Sequence, residues 1–500
     1  MYINAALTLA QTLFSIFALF FSYKLIIAEI GVSQLGFWAL LVSIVALTRA
    51  TELGLSGSLL KYVSKYLANN EISKANYAVD SSTLSVGVLV AAAMIVLYWP
   101  IQQLVLYILD DPQAFNANRD IFILSFLTAW LAAIAGVNKL ALEGCQRYDY
   151  STISSFLSTI TFVVGIILLV PKLGLKGLAY SIILQNLVLY TLCRMFLSRT
   201  AISSNLIPTS FSYAIWKEIL LYGVKFQIIS LLKILLEPLT KTLLGIFSSL
   251  EFIGFYELAS KFVTQMRRLL VAMNQVLIPN VSEKQAAGTL NIPTMYQKNY
   301  QLVNYVSIYF FTALLFSIPL LETLWFGEST FIFRIISIIA VFAFFLNTLS
   351  VPAYMMNLGV GELKQNLTSH ILMGVVNIVL GALLGSAIGG FGVVLGWGIA
   401  LCLGTFPIVQ PFHKKHRISI TDLINRHDFF GIAVCLAGVA IFWNAFSYLQ
   451  LYDNITIAFL FTTICALLLV LAPMWIHPTR KLALDRILSV VSQLTKKLSR

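Results

Sequence analysis

Apolar stretches of about 20 residues recur along the chain from Ala5 to Ile476, with short polar breaks between them. About 20 apolar residues in helical form span the hydrocarbon core of a bilayer. Of the 500 residues, 59% are hydrophobic and only 11% are charged. A transmembrane barrel would instead show short segments of alternating polarity. The sequence therefore predicts an all-α polytopic membrane protein.

This pattern predicts fourteen spans. They lie at about 5–28, 35–59, 79–99, 120–143, 152–171, 174–198, 219–247, 253–279, 300–321, 331–357, 367–388, 390–411, 430–450 and 455–476. The first span carries no basic residue before Lys24 and lacks a short apolar region followed by a cleavage site. We therefore expect this span to be retained rather than removed as a signal peptide.

Lysine and arginine are distributed unevenly between the loops on the two sides of the membrane. With the N-terminus in the cytoplasm, the cytoplasmic loops and the C-terminal tail carry nineteen of them, whereas the opposite loops carry only Arg119, Lys172 and Lys176. Such a bias predicts that both termini are cytoplasmic. Attraction to anionic inner-leaflet lipid explains most of the net charge of +12, so we predict no nucleic-acid partner.

The sequence lacks the residue patterns that several kinds of binding site or catalysis require. The five cysteines are scattered without paired spacing, which argues against a disulfide framework or a metal site. No glycine-rich loop ends in Lys-Ser or Lys-Thr, and no soluble insertion is large enough for a nucleotide-binding domain. We predict a protein that is not an enzyme, does not itself hydrolyse ATP and binds no cofactor.

Two halves of the chain resemble each other. At an offset of 218 residues, the sequence LGFW that starts at residue 35 matches IGFY at residue 253, and Arg49 matches Arg267. At an offset of 215, Gly174 matches Gly389. An even number of spans separates matching positions, so the halves have the same orientation. Such parallel repeats occur in transporters that bind substrate between two lobes.

The repeat predicts five parts of the chain. Residues 1–200 form an N-lobe of six spans, 201–217 a cytoplasmic linker, 218–412 a C-lobe of six spans, 413–476 two further spans, and 477–500 a cytoplasmic helix. The two lobes are predicted to surround a central cavity. The last helix is amphipathic, with leucine, isoleucine and valine on one face and basic residues opposite, which is typical of a helix lying on a membrane surface.

Basic residues also lie inside the predicted spans, although each costs about 2.5–3.5 kcal/mol at the centre of a membrane helix. Spans one, two, seven and eight hold Lys24, Arg49, Lys225, Lys233, Lys241, Lys261, Arg267 and Arg268. Spans seven and eight contain only two acidic residues against their six cations, Glu237 and Glu257. Pairing alone therefore cannot neutralise these cations, and we expect them to face protein or water rather than lipid.

Helical geometry places the charges on narrow faces. On span seven, Lys233, Glu237 and Lys241 fall within an arc of about 80°. On span eight, the polar residues fall within about 60°: Glu257, Lys261, Thr264, Arg268 and Gln275. A net-positive cavity predicts an anionic cargo, and the paired donors of arginine suit phosphate in particular.

Structural interpretations of the same residues stay open. Lys24, Lys225, Lys139 and Arg194 lie near helix ends, where basic side chains often reach the interface as anchors. Lys233 with Glu237, and Lys261 with Glu257, have the i,i+4 spacing of helical ion pairs, and Arg49 with Glu52 the i,i+3 spacing.

Four segments are similar to polysaccharide-transport proteins of the MOP (MATE-like) superfamily, and in particular to Wzx-type flippases of O-antigen and other lipid-linked oligosaccharides. They are GFWALLVSIVALTRATELGLSGSLLKYVSKY in span two, ALEGCQRYDYSTISSFLSTI after span four, GLKGLAYSIILQN at the start of span six, and GFYELASKFVTQMRRLLVAMNQVLIPNVS in span eight. The resemblance extends over residues 5–412.

This resemblance implies two six-helix lobes around a cavity lined by spans one, two, seven and eight. It implies that an undecaprenyl-pyrophosphate-linked glycan is turned from the cytoplasmic to the periplasmic leaflet of the bacterial inner membrane by alternating access. The pyrophosphate would contact the cations of those spans. Glu52, Glu237 and Glu257 are the candidates for proton or sodium coupling, because a buried carboxylate can take up a proton or bind sodium.

The expected partners are the lipid-linked glycan, membrane lipid, a polysaccharide polymerase and a chain-length regulator. Two alternatives share the predicted fold. A lipid II flippase also carries a pyrophosphate, and a cation-coupled multidrug exporter takes organic cations. The exporter would need an excess of buried carboxylates, whereas the charge excess here is positive.

Overall fold

The computed structural model describes residues 2–52, 54–109, 113, 118–200, 202, 205–275, 277–289 and 291–484. Among these, it leaves undescribed the side chains of residues 2–6, 8, 9, 50, 56, 57, 224–230, 233, 279, 280 and 286. The side chains of Lys225 and Lys233, and residues 485–500 of the predicted C-terminal helix, therefore lie outside the description. Within the described ranges the chain is helical throughout and contains no strand.

Residue contacts divide the chain into two compact units, Met1–Gly254 and Phe255–Arg500. The helices of the first unit are α1 Tyr2–Val45, α2 Leu55–Ala68, α3 Ile72–Leu109, α4 Arg119–Gly144, α5 Tyr148–Leu173, α6 Leu175–Leu197 and α7 Tyr213–Phe247. A 3-10 segment, Ala46–Glu52, joins α1 to α2. Helix α8, Leu250–Asn274, begins in this unit and continues in the second.

The remaining helices belong to the second unit. They are α9 Leu277–Ala286, α10 Ile292–Trp325, α11 Phe331–Thr348, α12 Val351–Val360, α13 Lys364–Ile388, α14 Gly390–Leu403, α15 Phe406–His416, α16 Arg426–Tyr448, α17 Ile455–Ala466 and α18 Ala472–Ile476. A π-helical turn, Leu467–Leu471, connects α17 to α18. The predicted boundaries of lobes, linker and terminal helix remain predictions.

Eleven helical stretches of the described residues are long and apolar enough to cross a membrane. One of them, Ala10–Arg49, covers most of what the sequence predicts as spans one and two. Helices α7 and α8 are not among the eleven, and α8 carries five charged residues in 25 positions. The remaining ten stretches correspond to predicted spans, so the all-α, multi-span architecture is confirmed.

The structure differs from the prediction at span two, residues 35–59, which is not one helix. The interruption of α1 at Gly31, where φ is 76°, agrees with the predicted break between spans one and two, but α1 then ends at Val45, inside span two. The 3-10 segment follows, and α2 begins after Gly54, whose φ is 72°. Only glycine adopts such left-handed backbone conformations readily. Hydropathy does not reveal the break between Val45 and Leu55, because glycine is also common in apolar spans.

The sequence repeat reappears as matching contacts within each unit. In the first unit the Ser64 hydroxyl donates to the carbonyl of Gly144 at 2.7 Å. In the second unit the Ser282 hydroxyl donates to the carbonyl of Gly359 at 2.7 Å. The serines are 218 residues apart and the glycines 215, which are the two offsets found in the sequence. Both copies of the repeat therefore pack this pair of helices in the same way.

Two glycines that match at the 218 offset allow a close helix crossing in the first unit. A Cβ atom added to Gly36 would overlap the carbonyl oxygen of Leu250, and one added to Gly254 would overlap that of Val32. These four positions form a symmetric set, since Val32 and Leu250 are also 218 residues apart. The N-terminal turn of α8 therefore packs against α1 almost backbone to backbone, a contact that small residues permit in membrane helices.

We expect Gly36→Ala to lower the free energy of unfolding by about 1–3 kcal/mol, because the new methyl group must displace backbone. The matched control is Gly136→Ala, since a Cβ atom at Gly136 meets no atom within 4 Å. That change should be neutral or slightly stabilising in a helix interior. Thermal unfolding of the purified proteins in one detergent compares the two, and equal stability of both variants would contradict the close crossing.

Candidate functional site

Arg49 lies in the 3-10 segment of the first unit, beside a carboxylate. Its Nε atom is 2.7 Å from Oε1 of Glu52, and the two side chains are 39% and 11% exposed. The predicted i,i+3 pair is therefore present. Because the guanidinium has five donors and a large exposed fraction, it can contact a further anion while it holds Glu52.

Lys241 and Glu237 form a second pair in the first unit, on α7. The Lys241 ammonium is 2.7 Å from Oε1 of Glu237 and 3.3 Å from the carbonyl oxygen of Ala39 on α1. The lysine side chain is only 2% exposed, whereas that of Glu237 is 45% exposed. Lys241 therefore joins α7 to α1, and Glu237 is the member of the pair that a ligand or ion can reach.

The polar face of α8 changes from buried to exposed along the helix. Glu257 is buried, Lys261 is intermediate and Arg268 is exposed. The Lys261 ammonium is 3.7 Å from Oε1 of Glu257, and the Arg268 guanidinium donates to Oε1 of Gln265 at 2.9 Å. In the second unit, Lys261 and Arg268 are thus the predicted cations that are accessible, and Lys261 lies beside the buried carboxylate of Glu257.

Arg267, the neighbour of Arg268, is oriented differently and binds to α11. It donates from Nε to the Thr348 hydroxyl at 3.0 Å and from Nη2 to the side-chain oxygen of Asn347 at 2.7 Å. Its guanidinium carbon lies 5.3 Å from the centre of the Phe344 ring. These contacts fix the side chain within its own unit, so they support a structural role for Arg267.

The repeat explains why the matching arginines Arg49 and Arg267 have different surroundings. At the 215 offset, the positions of Asn347 and Thr348 are occupied by Ala132 and Ala133 on α4. Alanine has no side-chain acceptor, so the first copy lacks the groups that hold Arg267 in the second. The two arginines occupy matching positions in the repeat but have different contacts, and Arg49 is the more accessible of them.

Lys24 on α1 is exposed. The predicted pair of Lys233 with Glu237 cannot be described, because the Lys233 side chain lies outside the described residues together with that of Lys225. The contact that the structure does describe for Glu237 is with Lys241, one helical turn further along the chain.

A cluster that the sequence interpretation missed surrounds Arg194 on α6. Its side chain is 0% exposed, and Nη1 lies 2.9 Å from Oδ1 of Asp80 on α3. Arg194 also donates from Nε to the carbonyl oxygen of Asn205 at 2.8 Å. The other Asp80 oxygen accepts from the backbone N–H groups of Thr209 and Ser210, each at 3.3 Å. Arg194 is thus a buried structural group and not an interfacial anchor.

The Asp80–Arg194 pair holds the segment between α6 and α7 against helices α3 and α6. The sequence signal was an aspartate at the start of predicted span three and an arginine at the end of span six. The two residues are 114 positions apart. No helical spacing connects residues at that separation, so only the tertiary structure identifies them as partners.

This fold, with eleven helical stretches of the described residues long and apolar enough to cross a membrane, defines the class of the protein as a polytopic membrane protein. The chain matches the family of polysaccharide biosynthesis proteins over residues 5–285, and it belongs to that family. A comparison with curated proteins found no significant match.

Solved structures confirm the fold. An inward-facing MATE-family multidrug resistance transporter of the MOP superfamily aligns with a TM-score of 0.67 and 15% identity, covering 83% of this chain and 98% of that chain. The lipid II flippase MurJ, in an inward closed conformation, aligns with a TM-score of 0.66 and 14% identity, covering 93% and 98%. A mutant of the Vibrio cholerae MATE transporter VcmN has a TM-score of 0.54 and 14% identity, covering 85% and 100%.

We expect Asp80→Asn to lower the free energy of unfolding by about 3–5 kcal/mol, because it leaves the buried Arg194 charge without its counter-ion. The control is Asp120→Asn, which breaks the exposed pair of Asp120 with Lys176, whose side chains are 67% and 43% exposed. Exposed pairs contribute at most about 1 kcal/mol. Unfolding curves in detergent measure both, and a similar small loss in the two variants would contradict the structural role of Asp80.

Proposed function

We propose that the protein is a flippase that moves an undecaprenyl-pyrophosphate-linked oligosaccharide from the cytoplasmic to the periplasmic leaflet of a bacterial inner membrane. Membership of the polysaccharide biosynthesis family supports a glycan as cargo. The fold shared with MATE transporters and MurJ supports transport by alternating access. The expected partners, including a polymerase and a chain-length regulator, belong to this proposal.

The observation that carries the proposal is the accessible cationic face of α8, with Lys261 partly exposed and Arg268 exposed. A membrane protein seldom presents such groups to lipid, since a cation at that depth is costly unless it faces water, protein or a ligand. A diphosphate supplies several negative oxygens at fixed spacing, which suits both an ammonium and a guanidinium. The polar head of a lipid-linked glycan meets this requirement, and its polyprenyl tail can remain in lipid.

We assign direct contact with the pyrophosphate to Arg49, Lys261 and Arg268. Each of these side chains is at least partly exposed, so it can donate to a ligand while it keeps its contact with Glu52, Glu257 or Gln265. Lys24 is exposed and also belongs to the proposed set. Lys225 and Lys233 belong to it on their sequence positions alone. Arg267 and Lys241 have an indirect role in this proposal, because their polar contacts hold neighbouring helices together.

The coupling groups in this proposal are Glu52, Glu237 and Glu257. Each carboxylate lies beside a cation, with an Nε or Nζ to oxygen distance of 2.7, 2.7 and 3.7 Å respectively. Protonation of such a carboxylate, or sodium binding to it, weakens its ion pair and releases a cation for the cargo. Ion uptake and cargo binding would thereby be linked through the same side chains.

We expect Arg49→Gln and Arg268→Gln each to reduce flipping by about tenfold to a hundredfold, since a charge-assisted hydrogen bond contributes about 1.5–3 kcal/mol. Thermal stability should stay close to that of the wild type for Arg268→Gln and fall for Arg49→Gln, which leaves the mostly buried Glu52 carboxylate with a neutral neighbour. Arg267→Gln should also lower stability, because it removes both hydrogen bonds to α11. Proteoliposomes that contain a fluorescent undecaprenyl-pyrophosphate oligosaccharide measure the flipping rate.

Lipid II in the same vesicles tests the alternative cargo. Flipping of lipid II but not of the oligosaccharide would replace the proposed substrate, and export of an organic cation alone would assign the protein to the multidrug exporters. Full flipping activity in both Arg49→Gln and Arg268→Gln would remove these residues from the site.

Glu257→Gln should reduce the response of flipping to a pH or sodium gradient while a response to membrane potential persists, because the amide can neither take up a proton nor carry a charge. The matched control is Glu251→Gln, a change at an exposed glutamate on the same helix. Vesicles with imposed gradients measure both variants. A gradient response in Glu257→Gln equal to that of the wild type would exclude this residue as the coupling group.

A further inference from the structure

A cavity of about 400 Å³ lies in the second unit, away from the polar face of α8. Its walls come from α9, from the segment that leads into α10, and from the first turns of α10, with Leu482 from beyond α18. The volume is within the range of small-molecule sites, about 300–1,000 Å³. None of the residues assigned above to the pyrophosphate lines this cavity.

The charged side chains that line the cavity are both lysines, Lys284 and Lys298. Each is exposed, and neither forms an ion pair with another described residue. Two ammonium groups at one cavity produce a local positive potential that favours an anion. Both lysines lie between predicted spans eight and nine, in a segment that the charge bias of the sequence predicts to be cytoplasmic.

The other polar groups of the cavity are small hydrogen-bonding side chains. Thr289, Asn291, Thr294 and Asn299 line it together with the two lysines. The Asn291 side-chain oxygen already accepts from the backbone N–H of Thr294 at 3.2 Å, so Asn291 offers a ligand its amide NH₂ group. Ammonium, amide and hydroxyl donors together match the several acceptor oxygens of a phosphate group.

Apolar side chains also line the cavity. Leu277, Met295 and Leu482 line it, and Met295 and Leu482 are partly buried. A simple inorganic ion would leave this surface uncovered in a space of about 400 Å³. The cavity therefore combines a phosphate-binding rim with room for an organic portion, as a phosphate ester requires.

We propose that this cavity is a second anion site, separate from the flippase site, which binds a phosphate-bearing molecule at the cytoplasmic side of the second unit. Lys284 and Lys298 bind the phosphate, and the threonine and asparagine side chains complete its hydrogen bonds. Two sources of this chemistry exist, the headgroup of an anionic phospholipid and a water-soluble phosphate compound, and the experiment has an arm for each.

The experiment uses the full chain, purified in a neutral detergent, and measures binding by isothermal titration. The probes are dihexanoyl phosphatidylglycerol and inorganic pyrophosphate. The test variant is Lys284→Gln/Lys298→Gln. The matched control, Lys364→Gln/Lys414→Gln, removes two exposed lysines that do not line the cavity. We expect the test variant to raise Kd by about tenfold or more, at about 1 kcal/mol for each lysine, and the control to change it by less than twofold.

A second variant distinguishes binding inside the cavity from general electrostatic attraction of an anion to the two lysines. Thr294→Trp keeps both lysines and fills the cavity, so it should also weaken binding. Binding of the lipid probe alone, or of pyrophosphate alone, supports the proposal and identifies the source of the ligand. Because pyrophosphate is also the head group of the proposed cargo, only binding that the test variant loses is assigned to this cavity. The proposal is wrong if the wild type binds neither probe, if the test variant binds as the wild type does, if the control loses as much affinity as the test variant, or if Thr294→Trp binds as the wild type does.

The result is independent of cargo transport. A protein that binds the probes but flips no oligosaccharide would retain this site and lose the proposed function. A protein that flips the oligosaccharide but binds neither probe would retain the function and lose this site.

Discussion

A charge at membrane depth is costly, and this cost constrains how each basic residue of the predicted spans can be placed. A cation there must be paired, hydrogen-bonded to protein, or exposed to water or a ligand. Arg194 satisfies the requirement by pairing with Asp80, and Arg267 by donating to Asn347 and Thr348. Arg268 is different, because it is exposed and its recorded partner is a neutral amide on its own helix. The same physical rule thus separates structural cations from those that can bind a cargo.

The multi-span architecture could be predicted because it depends on segment hydrophobicity, which is a local property of the sequence. The interruption of α1 at Gly31 lies in the break predicted between spans one and two. The end of α1 at Val45 and the start of α2 after Gly54 could not be predicted, since one glycine with φ of 72° leaves the average hydropathy of its segment unchanged. The partners of the basic residues could likewise be predicted only where the sequence spacing is local. Helical spacing correctly predicted the pairs of Arg49 with Glu52 and of Lys261 with Glu257. The partner of Arg194 lies on another helix, and no local pattern in the sequence points to Asp80.

The internal repeat gives a more detailed view of how the two copies have diverged. Contacts that determine helix packing are retained in both, as the bonds of Ser64 to Gly144 and of Ser282 to Gly359 show. Contacts of the repeated arginine are not retained, since Asn347 and Thr348 correspond to alanines in the first copy. The repeat therefore predicts the scaffold better than it predicts the site.

Under the proposed function, the same charges bear on the energy source. Moving one elementary charge across the membrane potential changes its free energy by about 2.3 kcal/mol per 100 mV. A diphosphate bound by a matching number of cations crosses as a nearly neutral complex, so the loaded step is only weakly affected by the potential. The empty site is positive, and a negative cytoplasm favours its return to the inner face. Carboxylates such as Glu257 reduce that positive charge, so their protonation state determines how strongly the potential drives the return of the empty site.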